Sequence, residues 1–354
     1  MSPRADPPIA VTRKAHRRRR RARAVMAITV VAAVVAATGY GAWQFIEENE
    51  YLLDERCQVT VGETEHRLTP AQTYSAAHLA AGAADRDMPV QAAIDALAIS
   101  LQETDLENRA DPEEAGAENG GGAEDAGAEE SGENEAAEAP APILFAAGGA
   151  QWDAVDASNP TPRTADEFYQ ELSNSSRGEG ASEAQWSAEL GLDEAAEALS
   201  RPHNSSFYPQ HGELARAFAR PLTGMQPLGM TCQLSQIDVP GPDAEGLSQE
   251  LQATLPNLLG EEAIAVEGSG ENSSMSVSIA DVGPDAGVHD PVDGDSAERG
   301  DPLWLVAQWA VAAAETYGVQ SVHAGTHEWQ RDTGRWERVD KVSDDAVEIG
   351  FSRE

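Results

Sequence analysis

At 354 residues the chain has room for two modest domains with linkers, at about 100 to 200 residues per domain, and its formal net charge is -37. The charge is unevenly placed: from Arg4 to Arg23 nine Lys or Arg stand against one Asp, leaving 15 basic and 60 acidic side chains in the rest. So acidic a body repels phosphate backbones, which excludes nucleic acid as its partner.

The basic tail, residues 1–23, leads into a run from Ala24 to Ile46 that holds no charged residue. At about 1.5 Å per residue this run can cross a hydrocarbon core of roughly 30 Å. Tyr40 and Trp43 suit the headgroup boundary at its far end, and the cluster Arg17 to Arg21 holds the near end in the cytoplasm. The segment reads as a single-pass anchor in the cell membrane, with the lipid bilayer as its partner, the N-terminus cytoplasmic and the C-terminus extracellular. A cleaved signal peptide has the same order of parts but an apolar middle of usually about 7 to 15 residues. The longer run here favours a retained anchor, and either reading exports the body. One span with no charge inside it supplies no ion pathway.

Residues 51–68 read as a stalk entering a short strand at CQVTV, which turns at Gly62. Thr69 and Pro70 are the N-cap and first residue of a helix on which Tyr74, Ala77, His78, Ala81 and Ala84 recur at spacings of three and four. Met88-Pro89 starts a second helix, with Val90, Ile94, Leu97, Ala98 and Leu101 on its apolar face. Residues 109–142 contain no aromatic and no Val, Ile, Leu or Met, so they cannot bury enough surface to offset the entropy of ordering. They are predicted to form a disordered acidic loop.

Structure resumes at Ile143. TADEFYQELSN predicts a helix with Phe168, Tyr169 and Leu172 facing inward, and patterned segments follow through Trp186 to Leu199 and Leu214 to Leu222. A linker rich in Pro and Gly occupies 238–245. Beyond it lie a helix around LSQELQATLPNLL, strand candidates AIAVEG and MSVSIADV, and a strong helix at 303–317 capped by Gly318. VQSVHAG and HEWQRDTGRWERV read as closing strands, the last two a hairpin. The expected fold class is mainly α: a transmembrane helix, a helical domain over 47–237 that carries the acidic insertion, and a small α/β module over 246–354.

Cys57 and Cys232 are the only cysteines. In an exported chain two are most simply read as one disulfide, two free thiols being the alternative. A bridge over so long a loop would remove roughly 3 to 5 kcal/mol of chain entropy from the unfolded state.

AISLQETDLEN, ending at Asn108, resembles the A-L-Q-E-S-x-L-x-N pattern of lysozyme-like exported proteins of high-GC Gram-positive bacteria, which are related to lytic transglycosylases. LFAAGGAQW at Leu144 to Trp152 is similar to that family's L-F-Q-Q-R-P-S-x-G-W, and DEFYQEL at Asp166 to Leu172 to its F-Y-x-x-L helix. The placing of Cys57, Thr223-Gly224 and Cys232 also agrees with the family, so the resemblance covers roughly residues 55 to 235 and implies a lysozyme-like helical domain closed by a Cys57–Cys232 disulfide.

The resemblance makes Glu103 the catalytic acid, oriented by Thr104, with Phe145, Trp152 and Tyr169 lining the glycan site. Such a carboxyl sits partly buried so that it stays protonated and can donate to the leaving sugar oxygen. The departures point the other way. The acidic loop stands where the family has G-D-x-D-S-x-G, and Ala146, Ala147, Gly148, Gly149 and Ala150 stand where it has Q-Q-R-P-S. Ala and Gly offer no side-chain hydrogen bonds with which to position a sugar. Catalysis is therefore expected to be degenerate, leaving a membrane-anchored envelope protein that binds or scaffolds at the cell wall, with peptidoglycan as its expected partner and protein partners unspecified. The competing reading is an active peptidoglycan lytic transglycosylase with a single glutamate as acid/base.

Other constellations carry less. His203 and His211 flank NSSFYPQ without a metal-ligand spacing, and His323, His327 and Glu328 lie in a strand and turn, so neither metal nor cofactor is expected. GSGENSS lacks the lysine and helix of a phosphate loop, and no Ser/His/Asp arrangement stands out. Trp304, Trp309, Trp329 and Trp336 suit either core packing or a sugar platform. Trp304 and Trp309, five apart, do not share a helix face.

Overall fold

Cys57 and Cys232 lie opposite one another on neighbouring antiparallel strands, Cα atoms 4.0 Å apart, and are joined by a disulfide spanning 175 residues. The computed structural model describes residues 55–108, 142–146, 164–179, 184–237, 239–260, 262–279 and 300–352, which belong to one unit, Glu55–Glu354. The basic tail, the apolar run of 24–46, the acidic loop of 109–141 and Trp152 lie outside the described residues. Among the described residues no helix is long and apolar enough to cross a membrane.

β1 (Arg56–Val61) turns through Gly62 into β2 (Thr64–Leu68), and β1 also pairs with β3 (Met230–Gln233), giving a three-stranded sheet in the order β2-β1-β3. The alternation that puts Cys57 and Val59 inward is the pleat of a half-buried strand.

Between β2 and β3 lie α1 (Pro70–Asp85), α2 (Val90–Glu103), α3 (Ala165–Ser176), α4 (Leu192–Ala198) and α5 (Gly212–Leu222). α1 opens with a capping box, Thr69 Oγ1 accepting from Gln72 N at 3.2 Å and Gln72 Oε1 accepting from Thr69 N at 3.0 Å. Twelve of its sixteen residues are buried, which explains why its alanines show little one-sided pattern: a helix covered all round is central to its fold. Gly82 lets α1 approach α3 closely, since a Cβ there would lie 3.0 Å from the Tyr169 ring. The segment Trp186–Leu199, read as one pattern, is helical only from Leu192.

α6 (Ala244–Thr254) begins inside the stretch read as linker, with Asp243 as its N-cap. β4 (Ile264–Glu267), β5 (Ser274–Ser278), α7 (Pro302–Tyr317), β6 (Ser321–Gln330) and β7 (Arg335–Gly350) complete the chain. The strands form a second antiparallel sheet in the order β4-β5-β7-β6, and α7 packs against β6 and β7. α7 ends at Gly318, whose φ of 69° is the left-handed cap conformation. β7 runs to Gly350, well past the predicted end of the hairpin, its last residues placing Val347 and Ile349 inward.

The expectation of a mainly α fold is corrected. Seven helices share the described residues with two antiparallel sheets, and strand makes up 23% of them. The class was misjudged because β3 and the second half of β7 are short on apolar pattern, and the β1–β3 pairing joins residues that periodicity cannot relate.

One contiguous core runs from Cys57 to Phe351. α7 packs against α1 and α5, and polar ties join the helices between β2 and β3 to the later part of the chain. Asp85 accepts from Asn257 N, Leu258 N and Asn257 Nδ2 at 2.7 to 2.9 Å, and the Tyr74 and Tyr317 hydroxyls lie 3.1 Å apart. Buried Arg331 donates to the carbonyls of Ser235 and Ala314 and pairs with Glu315, binding the end of α7 to the segment after β3. A guanidinium with several donors suits three acceptors on different segments.

Candidate functional site

α2 ends on Glu103. The next residues turn sharply: Thr104 closes the helix, and Asp105 and Leu106 both take the left-handed conformation, φ 57° and 58°. That costs an L-residue about 1 to 2 kcal/mol each. The turn is held by burial of Leu106 and by Gln72 Nε2, which donates to the Asp105 carbonyl at 2.9 Å. Asn108 Oδ1 then accepts from Ile143 N at 2.9 Å, so the chain leaves the site at residue 108 and returns to it at 143.

The returning segment lies along the end of α2. Ser100 Oγ and Thr104 Oγ1 both lie within hydrogen-bond distance of the Leu144 carbonyl, at 2.7 and 2.8 Å, and Ala146 N donates to Glu103 Oε2 at 3.1 Å. Phe145 stacks on Phe168 of α3, ring centres 4.6 Å apart and planes 9° from parallel.

Arg201 completes the site. Beyond α4 the chain turns through Ser200, φ 51°, which directs Arg201 back into the interior. Its Nε donates to Glu103 Oε1 at 2.9 Å and its Nη2 to Oε2 at 2.5 Å, with both side chains fully buried. The guanidinium also lies over the Phe145 ring, 5.2 Å from its centre, a cation–π contact. Tyr208, on the 3-10 turn Ser205–His211, donates its hydroxyl to Glu103 Oε1 at 3.2 Å and accepts from His203 N. Burial, with the Glu103 carboxylate beside it, pushes the Tyr208 hydroxyl well above its ordinary pKa, so it remains a donor.

Each Glu103 oxygen thus receives two donors. A general acid must instead direct a proton outward at a leaving group, within about 2.6 to 3.2 Å in a cleft that admits substrate. The arrangement is a closed, bidentate ion pair with acceptor geometry throughout.

The other predicted residues are placed as follows. The Thr104 hydroxyl serves the Leu144 and Ser100 carbonyls, not Glu103. Phe145 and Tyr169 are core residues, 1% and 0% exposed, and the Tyr169 hydroxyl donates to the Leu79 carbonyl at 2.5 Å. Cys57 and Cys232 form the disulfide described above. Trp309 and Trp329 are fully buried, whereas Trp304 and Trp336 are half-buried and meet edge to face at 5.5 Å. Among the described residues no group of three or more His, Cys, Asp or Glu could hold a metal ion.

Arg201 and Tyr208 were not foreseen. The signal available was indirect: a glutamate expected inside an apolar helix needs a cation near it. Arg201 stands three residues beyond the end of a short helix and precedes a proline.

α2 carries a second buried carboxylate, Asp95, which accepts from Gln91 Nε2 at 2.7 Å and from Trp186 Nε1 at 2.8 Å. Burial pushes it up to about 6. No protein-family model matches the chain, and no curated protein or solved structure is detectably similar to it.

Proposed function

We propose that the chain is a cell-envelope protein, anchored in the membrane by its N-terminal apolar run, whose glutamate site is catalytically inert and whose exported body binds or scaffolds at the cell wall. The observation that carries the inert reading is the buried Arg201–Glu103 pair. The two Glu103 oxygens accept four hydrogen bonds inside the core, so neither is directed at a substrate as a general acid must be. The wall-directed part is supported by the basic-then-apolar start of the sequence and by the motif resemblance around Glu103.

The test is to incubate the purified full-length chain, and a Glu103→Gln variant, with peptidoglycan and to examine the soluble products by mass spectrometry. Neither protein is expected to release products, and the parent is expected to co-sediment with the wall. Anhydro-muropeptides from the parent alone would overturn the inert reading. Absence of co-sedimentation would overturn the wall-directed one. The topology is tested with a protease-cleavable tag after Glu354 on whole cells, where cleavage without lysis is expected.

A further inference from the structure

Behind the Glu103 pair, on the outer side of Arg201, lies a cavity of about 300 Å³ lined by Ala196, Glu197, Ser200, Arg201, His203, Asn204 and Ser205. It is shaped by the end of α4 and the start of the 3-10 turn, and of the groups that hydrogen-bond to Glu103 it is lined by Arg201 alone. We propose that this cavity binds a single neutral pyranose ring.

The hydrogen-bonding groups on its wall favour that class. Glu197 uses one carboxylate oxygen to accept from Ser205 Oγ at 2.7 Å, leaving the other as an acceptor. Asn204 uses Oδ1 to accept from Ser206 N at 3.0 Å and Ser206 Oγ at 2.7 Å, leaving the two amide N–H groups as donors. The Ser200 hydroxyl and the His203 ring form no hydrogen bond with the other described residues. A wall that offers both an acceptor and donors matches a ring bearing several hydroxyls, since each hydroxyl donates once and accepts twice.

The alternatives fit less well. An anion would face the free Glu197 oxygen, while the arginine charge beneath is already neutralised by Glu103. A divalent ion would find one carboxylate and one imidazole, short of the three or more ligands such ions take from protein. An apolar ligand would find only Ala196. The volume stands at the lower end of ligand pockets, room for one ring and not for an extended chain.

That the cavity takes a ring stands on its own geometry; that the ring belongs to wall glycan rests on the proposed function. The experiment separates the two. The full-length chain is titrated calorimetrically with N-acetylglucosamine, its β-1,4 tetramer, glucose and maltotetraose, and is separately sedimented with purified sacculi in the presence and absence of each. Asn204→Asp keeps the Ser206 acceptor but turns the donor into an acceptor, and Glu197→Gln keeps an acceptor for Ser205 but turns the free oxygen into a donor. Both leave the turn intact. Each is expected to weaken binding of at least one of the four sugars tenfold or more, while Val342→Ala, at an exposed position on β7, leaves it unchanged.

Binding unaffected by both inversions, binding lost in Val342→Ala, or no binding of any of the four would overturn the proposal. Sedimentation with sacculi that no sugar competes, and that both inversions leave intact, would overturn it while the wall-directed reading survives. Sugar binding sensitive to the inversions, without sedimentation, would support the cavity and remove the wall as its source.

Discussion

Removing Arg201 alone strands a carboxylate in the core, and the geometry says how much that costs. Both side chains of the pair are fully buried and joined by two parallel N–H···O bonds. Breaking such a pair from one side costs about 3 to 5 kcal/mol, because the remaining charge is left without a partner. Arg201→Met and Glu103→Gln should each destabilise by that amount. The double variant keeps one acceptor for Tyr208 or Ala146 and leaves no net charge inside, so it should cost no more than either single change. Two independent sites would add to roughly 6 to 10 kcal/mol, and the shortfall from additivity should be about 3 kcal/mol or more.

Urea unfolding followed by tryptophan fluorescence measures all four corners of the cycle. At about 2 to 4 °C per kcal/mol for a domain of a couple of hundred residues, each single variant should melt on the order of 10 °C below the parent. Additive single effects, or an Arg201→Met chain as stable as the parent, would refute the view that this pair is a closed structural element. The same variant incubated with peptidoglycan should release no soluble glycan. Products appearing only in Arg201→Met would mean that a working acid had been unmasked.

Two buried groups predict opposing pH dependences. His78 is pushed down to about 4 by burial, from an ordinary 6.5, even with Glu250 3.3 Å from its Nε2, and burial also pushes the Glu250 carboxyl up. The folded state then binds fewer protons than the unfolded one between about 4 and 6.5, so stability rises with pH there, by roughly 3 kcal/mol. Asp95, raised from 3.8 to about 6, binds more protons when folded, so its contribution falls by roughly 3 kcal/mol as pH rises through that window. Relative to the parent, Asp95→Asn should therefore show a more steeply rising profile from pH 4 to 6.5 and His78→Gln a more falling one in urea titrations. Parallel profiles for all three would exclude these assignments. Reduction of the Cys57–Cys232 bridge, or Cys57→Ser with Cys232→Ser, should cost about 3 to 5 kcal/mol, read as a lower urea midpoint. Gly318→Ala places a Cβ 2.6 Å from the Pro240 carbonyl in a left-handed conformation, and a loss of at least about 1 kcal/mol is expected on the same assay.

Local chemistry was legible from the residues. Thr69-Pro70 marked the start of α1 and Gly318 the end of α7, because caps depend on a side chain and the backbone within a few positions of it. Glu103 was singled out from a motif, and the two cysteines from the expectation of export. The mainly α class failed because the strands that decide it are short and pair across long separations, so no window of sequence contains both members of β1 and β3. The fate of Glu103 was beyond local reading for the same reason. Its partners Arg201 and Tyr208 lie 98 and 105 residues away, and only the packing of α4 and the following turn on α2 brings them to its oxygens. The sequence by itself determined where helices begin, which residues seek the interior and which carboxylate the argument must address. The tertiary structure alone decided that this carboxylate is an acceptor buried in an ion pair, since the sign and number of its neighbours are properties of the fold and not of the motif.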